Sequence, residues 1–271
     1  MGLRINTNIP ALNTGRMLAR STNALNQSLQ RLSSGLRINR AADDAAGLAI
    51  AEGFRSQVRG TQVAQRNAQD GVSLVQTAEG ALSETTNILQ RIRELAVQAA
   101  NGTQSTSNRA AMDGEIAQLL AQINSIAFDT EFNGIRVLSV AQTLTLQAGA
   151  MTSQTLTIAL GGATSANLGV STIRVTSMLP AVSAISTIDR AIQSVTTLRS
   201  SLGAYQNRLE FTINTLAIQE ENSAAAESAI RDANIATETI AFTRNQILVS
   251  AGTSVLAQAN LVPQTALALL G

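Results

Sequence analysis

The sequence predicts a mainly α protein in which long antiparallel helices pack as a coiled rod with a small β-hairpin region. Three observations support this. Apolar residues recur every seven positions near both ends, aromatic residues make up only 2% of the chain, and only three prolines interrupt its 271 residues. Small aliphatic side chains must therefore fill the interior, which suits helices that meet along narrow seams. The two ends of the chain are expected to pair as a helical coiled coil.

The composition removes most catalytic chemistry. The chain has no Cys, His or Trp, and all nineteen of its basic residues are Arg. It therefore cannot use a thiolate nucleophile, a Ser–His relay, an imidazole metal ligand or a reactive lysine. A formal net charge of +1 gives no electrostatic reason to expect nucleic acid or an anionic membrane as a partner. We predict that the protein is not an enzyme and has no catalytic, metal-binding or cofactor-binding residues.

The first predicted helix covers residues 11–36 and carries a heptad stripe of leucines. Polar residues occupy most other positions, so the stripe predicts an amphipathic helix whose narrow seam meets another helix. A break is expected from Ser33 to Arg40, which includes Gly35. The leucines of this terminal seam are Leu18, Leu25, Leu29, Leu32 and Leu36.

The second helix is expected to begin after Asp43 and Asp44, whose charges favour a helix N-terminus. It continues to about Ala100 and stops at Asn101-Gly102, a span of roughly 80 Å at 1.5 Å per residue. A role for the two aspartates in acid–base or metal chemistry is less favoured, because no other group is recognised near them. Residues 104–128 form the next predicted helix. Its predicted seam comprises Met112, Ile116, Leu119, Ile123 and Ile126.

A different pattern follows in the middle of the chain. No charged residue occurs from 137 to 173, and polar and apolar residues alternate over 143–146 and 154–160. Alternation with a period of two is typical of strands, and residues 149–153 supply a turn between them. The segment therefore predicts a β-hairpin.

Helix resumes at Pro180, because proline is favoured in a first helical turn. Apolar residues then recur every seven positions from Ile188 to Leu216, and the last segment, 246–271, carries no charge. One side of that segment forms a second terminal seam of Leu248, Val255, Val262 and Leu269. The opposite side comprises Ser250, Thr253, Ala257, Asn260 and Gln264.

The uncharged tail has a second interpretation as a membrane anchor, because 27 residues after Arg244 lack charge. Several polar side chains within it, together with Pro263, argue against a membrane span. The N-terminal segment has no unbroken apolar stretch and no small-residue cleavage site, so it is not expected to be a cleaved signal peptide. If the protein is exported, we expect a route that needs no cleaved signal.

Sequence motifs lie at 29–39 and 41–49 near the N-terminus, and further motifs at 89–98 and at Phe132-Asn-Gly134. These motifs resemble those of bacterial flagellins, and the first two are similar to the N-terminal signature of the family. Segments 201–208 and 251–260 are similar to the family's C-terminal signature. The resemblance covers about 1–139 and 181–271, in the right order.

The resemblance implies two domains. Residues 1–45 and 230–271 would form an inner terminal helical domain that lines the filament core, and 46–229 an outer rod domain with a β-hairpin at about 138–165. Many flagellins carry variable outer domains after the hairpin, and this chain resembles a minimal form without them. Some flagellins are O-glycosylated on their outer face. The Ser and Thr residues of 137–173 would be the candidates, although β propensity explains them equally well.

The function implied is that of a secreted, extracellular structural subunit that polymerises into the bacterial flagellar filament for swimming motility. The implied partners are copies of itself, the flagellar export chaperone, cap and junction proteins, and Toll-like receptor five; neither nucleic acid nor a membrane is expected. A hook-associated filament-junction protein is the alternative, since that class shares the terminal architecture. A flagellin with a catalytic insert is disfavoured because the insert is missing. A membrane-active helical protein is a further alternative that liposome binding would reveal.

The resemblance also implies two kinds of site. One patch matches the surface that Toll-like receptor five recognises in many flagellins, and it would equally pack between neighbouring rods. The patch comprises Gln90, Arg91, Leu95, Gln98 and Glu115. The uncharged face of the tail would line a hydrated lumen that binds neither charge strongly. This lumen face comprises Ser250, Thr253, Asn260 and Gln264.

Overall fold

The structure of the chain, a computed structural model, describes the backbone of residues 7–268 and the side chains of residues 7–261. Val262, Gln264 and Leu269, which the sequence assigned to the terminal seam and the lumen face, have side chains outside the described residues. Within the described range the helices are α1 Ile9–Ser34, α2 Ala45–Ala100, α3 Thr106–Asp129, α4 Met178–Arg231 and α5 Ile235–Ala268. The strands there are β1 Glu131–Phe132, β2 Ile135–Arg136, β3 Gln142–Gln147 and β4 Thr155–Leu160. The predicted mainly α fold class is confirmed.

Capping residues fix the helix ends, and α1 begins and ends two residues earlier than the predicted range of 11–36. Asn8 accepts a hydrogen bond from the N–H of Ala11 at the start of α1, and Gly35 ends this helix with φ of 71°, a left-handed conformation that glycine adopts without strain. Asp44 accepts a hydrogen bond of 2.8 Å from the N–H of Gly47 in the first turn of α2. Helix α4 begins at Met178, two residues before the predicted start, with Pro180 still in its first turn.

Asp43 has a different role from the helix start that the sequence predicted. Its Oδ2 accepts hydrogen bonds of 3.0 Å and 3.1 Å from the backbone N–H groups of Arg40 and Asn39. These bonds, that of Arg40 first, hold the pKa of the Asp43 carboxyl below its ordinary value. Asp43 therefore organises the loop that precedes α2, and Asp44 caps the helix.

The predicted β-hairpin is confirmed, and a second, smaller one precedes it. Strands β3 and β4 pair antiparallel, and β4 alternates exposed and buried residues along its length. Strands β1 and β2 also pair antiparallel around Asn133 and Gly134, which have φ of 50° and 77°. Asn-Gly is typical of such a two-residue turn. The sequence did not predict this hairpin, because strands of two residues are too short to show alternation.

The chain divides into two compact units, residues 1–56 with 222–271, and residues 57–221. In the second unit the heptad positions form the core that the sequence predicted. Val75, Leu89, Ile188, Val195 and Leu209 are all fully buried. On α3 the buried row is Met112, Ile116, Leu120, Ile123 and Ala127, so the predicted Leu119 and Ile126 are only half-buried beside it. The hairpin packs closely on α2, since a side chain at Gly71 would collide with Leu146.

Candidate functional site: surfaces for self-association

Helices α1 and α5 pack against each other in the first unit. The residues of α5 that are shielded from solvent recur with helical spacing on one face. A Cβ atom at Gly252, on this face, would lie 3.2 Å from Cδ1 of Leu18, so the glycine permits close approach of the two helices. The half-buried or buried members of the face include Phe242, Asn245, Val249, Gly252, Leu256 and Ala259.

Two polar contacts fix this pair of helices. The side-chain amide of Asn8 donates a hydrogen bond of 2.8 Å to the carbonyl oxygen of Ala259. Arg31 of α1 forms an ion pair of 3.7 Å with Glu238 of α5, whose side chain is only 14% exposed. These contacts set the register of α5 on α1, since they lie toward opposite ends of the pair.

The structure separates the predicted terminal seam residues into two groups. Leu18, Leu25 and Leu32 are half-buried on α1. Leu36 is also half-buried, but it follows the end of α1 and pairs with Asp232 in an isolated β-bridge, so it is not part of the helix seam. Leu29, Leu248 and Val255 are 53%, 48% and 51% exposed, so they do not lie within the α1–α5 seam of a single chain. The seam of α5 runs through Val249 and Leu256, one position further along. The heptad pattern could not choose between these stripes, because apolar residues occur on both.

Helix α5 therefore has a second apolar stripe that the described residues of its own chain leave uncovered. We call it the free face of α5, and it consists of Ile240, Ile247, Leu248 and Val255. Their side chains are between 48% and 63% exposed. The exposed Arg244 lies on the same face, one turn after Ile240 and one turn before Ile247 and Leu248. Large exposed apolar side chains grouped on one helix face still mark an interaction surface. A helix that is apolar on more than one face is typically covered on more than one side.

A neutral polar face lies on the other side of α5. Ser250, Thr253 and Asn260, from the predicted lumen face, are all exposed. The Thr253 hydroxyl donates a hydrogen bond of 2.8 Å to the carbonyl oxygen of Ser250, so part of its polarity is satisfied within the helix. From Asn245 onwards the helix carries no charge. The face is hydrated and uncharged.

The predicted surface patch of the second unit centres on Arg91. Its Nε and a terminal nitrogen donate bonds of 3.1 Å and 2.9 Å to one carboxylate oxygen of Glu115, and another terminal nitrogen donates to Glu94. These carboxylates, that of Glu115 first, raise the pKa of Arg91. The patch thus links α2 to α3 at an exposed site.

The structure does not bring all five predicted patch residues to the surface. Gln90 and Gln98 are exposed with Arg91 and Glu115, but Leu95 is 3% exposed and belongs to the core of its unit. Helical spacing could have indicated this, since Leu95 lies three positions after Ile92 and four before Ala99, in one apolar row. The sequence also did not single out Arg93, whose Nε donates a bond of 2.7 Å to Asp189 of α4.

The surface also has shallow depressions. One depression of about 350 Å³ is lined by Leu36, Arg55, Ala224, Glu227, Ser228, Arg231 and Asp232. Another of about 280 Å³ lies beside the hairpin tip and Phe211. Among the described residues, no group of three or more His, Cys, Asp or Glu side chains could hold a metal ion. None of the helices, over the residues described, has the length and hydropathy of a membrane span.

Two family models match the chain. The model described as the bacterial flagellin N-terminal helical region matches residues 5–143, and that described as the bacterial flagellin C-terminal helical region matches residues 185–270. A flagellin of Halalkalibacterium halodurans is 46% identical over 98% of this chain and 99% of its own length. The flagellar filament 33 kDa core protein of Treponema phagedenis is 44% identical, again over 98% and 99%. Among solved structures, Bacillus cereus flagellin has a TM-score of 0.51 and 34% identity, covering 60% of this chain and 94% of that one.

Proposed function

The chain belongs to the bacterial flagellin family and is a structural subunit of the extracellular flagellar filament, and from this premise we propose how its surfaces build that filament. Copies pack through the free face of α5, while the α1–α5 seam is completed within each chain. The observation that carries the proposal is the exposure of four large apolar side chains in one stripe of α5.

Their energetics favour burial by a second copy. About half of each side chain is already covered, so burying the rest contributes on the order of 1 kcal/mol per residue. One such contact between two subunits is modest, but in a helical array each subunit makes the contact with more than one neighbour. Stability then grows with assembly, as expected for a heterologous interface that does not close.

We keep the domain division as part of the proposal. Residues 1–45 and 230–271 serve as the inner terminal domain, and 46–229 as the outer rod domain with its hairpin at about 138–165. The neutral face of Ser250, Thr253 and Asn260 lines the lumen. An uncharged hydrated wall suits a channel for unfolded subunits, because it attracts neither charge strongly. Asn260→Arg should impair export and filament growth, and unchanged growth would sink the lumen assignment.

Further partners rest on the family resemblance. We propose that the exposed patch of Gln90, Arg91, Gln98 and Glu115 packs between neighbouring rods and is also recognised by Toll-like receptor five. In a reporter-cell assay with monomer, Arg91→Ala should reduce signalling, and Arg66→Ala, an exposed arginine of the same helix, should not. An unchanged response to Arg91→Ala would defeat the receptor assignment. The export chaperone and the cap and junction proteins complete the proposed partners.

Export is proposed to proceed without a cleaved signal peptide. Protein taken from the filament should then retain the N-terminal segment that precedes Asn8, with at most the initiator Met removed. N-terminal sequencing of this protein is the test. A first residue further along the chain would show that a segment had been cleaved and would contradict the proposal. The proposal assigns no catalytic activity to the chain, and no match reported above favours the filament-junction alternative.

Seeded polymerisation of the purified chain tests the function directly. Wild-type monomer should extend filament seeds, as seen by sedimentation and electron microscopy. Ile247→Asp should abolish extension, because it replaces a large apolar side chain of the free face of α5 with a carboxylate that packing would have to desolvate. Val140→Asp is the matched control, since Val140 is 57% exposed and Ile247 63%. Normal extension by Ile247→Asp, with its helix content intact, would contradict the proposed interface.

A further inference from the structure

Arg109 of α3 closes the end of α2. Its Nε donates a hydrogen bond of 2.8 Å to the carbonyl oxygen of Ala99, and a terminal nitrogen donates one of 3.0 Å to the carbonyl oxygen of Asn101. The side chain is half-buried. A guanidinium group in this position satisfies carbonyl groups that a helix C-terminus leaves without partners. It also places a positive charge beside one particular peptide bond, the bond that joins Asn101 to Gly102.

Two donors converge on the oxygen of that peptide bond. Besides Arg109, the backbone N–H of Gln104 donates to the carbonyl oxygen of Asn101 over 3.2 Å. When a peptide N–H loses its proton, the negative charge is shared with the carbonyl oxygen of the same peptide. Donors at this oxygen therefore stabilise the deprotonated form, as an oxyanion hole does. The nitrogen of Gly102 becomes a better nucleophile, and Gly102 has no side chain to obstruct it.

The side chain of Asn101 is held next to this nitrogen. The N–H of Thr103 donates a hydrogen bond of 3.2 Å to Oδ1 of Asn101, which closes a turn that directs the side-chain amide along the backbone of Gly102. The same donor stabilises the charge that develops on Oδ1 when Cγ is attacked. Asn101 and Gly102 are both exposed, so water reaches the site. Nucleophile, electrophile and their hydrogen-bond donors are thus assembled in one short turn.

We propose that Asn101-Gly102 is a self-modification site at which Asn101 deamidates with the assistance of Arg109. The nitrogen of Gly102 loses its proton to water and bonds to Cγ of Asn101. The Cγ–Nδ2 bond then breaks, and Nδ2 takes up a proton and leaves as ammonia. Water hydrolyses the resulting succinimide at either ring carbonyl and yields aspartate or isoaspartate. Both products add a negative charge close to the Arg109 guanidinium.

A second Asn-Gly pair in the same unit provides an internal reference. Asn133 and Gly134 are also exposed, but they form the turn between β1 and β2, with φ of 50° and 77°. Phe132 pairs with Ile135 directly beside this turn. The paired strands on both sides restrict the backbone rotation at Asn133 through which its side chain would approach the nitrogen of Gly134. Asn133 should therefore deamidate slowly while the hairpin is folded.

Peptide mapping by mass spectrometry of the full-length chain, incubated at mildly alkaline pH, tests the proposal. Asn101 should convert faster than Asn133. Arg109→Gln should slow conversion of Asn101 about tenfold, the effect of one charged hydrogen bond on the reacting peptide, and leave Asn133 unchanged. Arg109→Lys, which keeps the charge, should restore part of the rate. Arg66→Gln, an exposed arginine of α2, is the matched control and should change neither rate.

The direction of the Arg109→Gln effect separates assistance from a merely structural role. If Arg109 only caps α2, its removal loosens the turn and accelerates deamidation of Asn101, which would overturn its proposed role. Equal rates at Asn101 and Asn133 in the unaltered chain would overturn the site itself. Amide exchange at Gln104 shows whether the turn persists in the variant. Slower conversion with a persistent turn is the result that supports assistance.

Discussion

The side-chain amide of Asn8 donates a hydrogen bond of 2.8 Å to the carbonyl oxygen of Ala259, and so connects the start of α1 to α5 across 251 positions of sequence. The same side chain caps α1 through its Oδ1, which accepts the N–H of Ala11. Asn8 therefore both caps the start of α1 and holds α5 in place against it. Helix α5 is held in a register in which the other residues that the structure describes leave its free face uncovered.

These two roles of Asn8 can be separated by substitution. Asn8→Asp keeps the cap but loses the donor to Ala259, and should lower the unfolding free energy of the first unit by about 1 kcal/mol. Asn8→Ala loses the cap as well and should cost about 1 kcal/mol more. Denaturant unfolding of the monomer, followed by segment-resolved amide exchange, measures both. Equal stability of Asn8→Asp and the unaltered chain would contradict the contact with Ala259.

Two glycines, one within α1 and one directly after it, should respond to alanine substitution with opposite changes in stability. Gly35 has φ of 71° with nothing within 4 Å of an added Cβ, so Gly35→Ala should destabilise α1 by about 1–2 kcal/mol through backbone strain alone. Gly15 lies within the helix with similar open space, and Gly15→Ala should stabilise it by about 1 kcal/mol. Amide exchange of α1 in the monomer measures both changes. A stability change of the same sign in Gly35→Ala and Gly15→Ala would show that the left-handed conformation of Gly35 does not cause the destabilisation.

Acid should loosen the loop before α2 through Asp43. Its carboxyl pKa is lowered in the folded chain by the N–H groups of Arg40 and Asn39, in that order. A lowered folded-state pKa gives stability that is present above the unfolded pKa and lost as pH falls through the folded value. The protection factor of the Arg40 amide, its intrinsic exchange rate divided by the observed rate at the same pH, should therefore fall only below the ordinary aspartate pKa. In Asp43→Asn this protection factor should not change over the same acid range, and an acid-dependent loss in that variant would assign the transition to another group.

Arg91 should matter for assembly more than for folding. Its ion pairs with Glu115 and Glu94 are exposed, and such pairs contribute little to stability. Arg91→Ala should leave the thermal unfolding of the monomer nearly unchanged and slow seeded extension of filaments. Arg66→Ala serves as the control on the same helix. A loss of monomer stability that matches the loss of extension would indicate a structural role instead.

The sequence predicted correctly those helices and strands whose apolar residues lie on a single face. The heptads of α2 and α4 fall on the buried core, and the β3–β4 hairpin follows its alternation, because only one face of each is apolar. In α5 apolar residues lie on several faces, so periodicity selected Leu248 and Val255, although the chain itself covers Val249 and Leu256. The contacts between α5 and α1, among them the packing of Gly252 on Leu18 and the hydrogen bond from Asn8 to Ala259, decide between the stripes. The small hairpin at Asn133 and the burial of Leu95 also depend on tertiary contacts.

The central claim is that copies of the chain cover the free face of α5. The chain has no cysteine, so single thiols can be introduced at adjacent positions on different faces. Val255→Cys places a thiol on the free face, and Leu256→Cys places one in the α1–α5 seam. The rate of maleimide labelling in monomers and in filaments is the measurement. The Val255→Cys thiol should react readily in the monomer and become protected in the filament, whereas that of Leu256→Cys should change little. Equal labelling of Val255→Cys in monomer and filament would contradict the account.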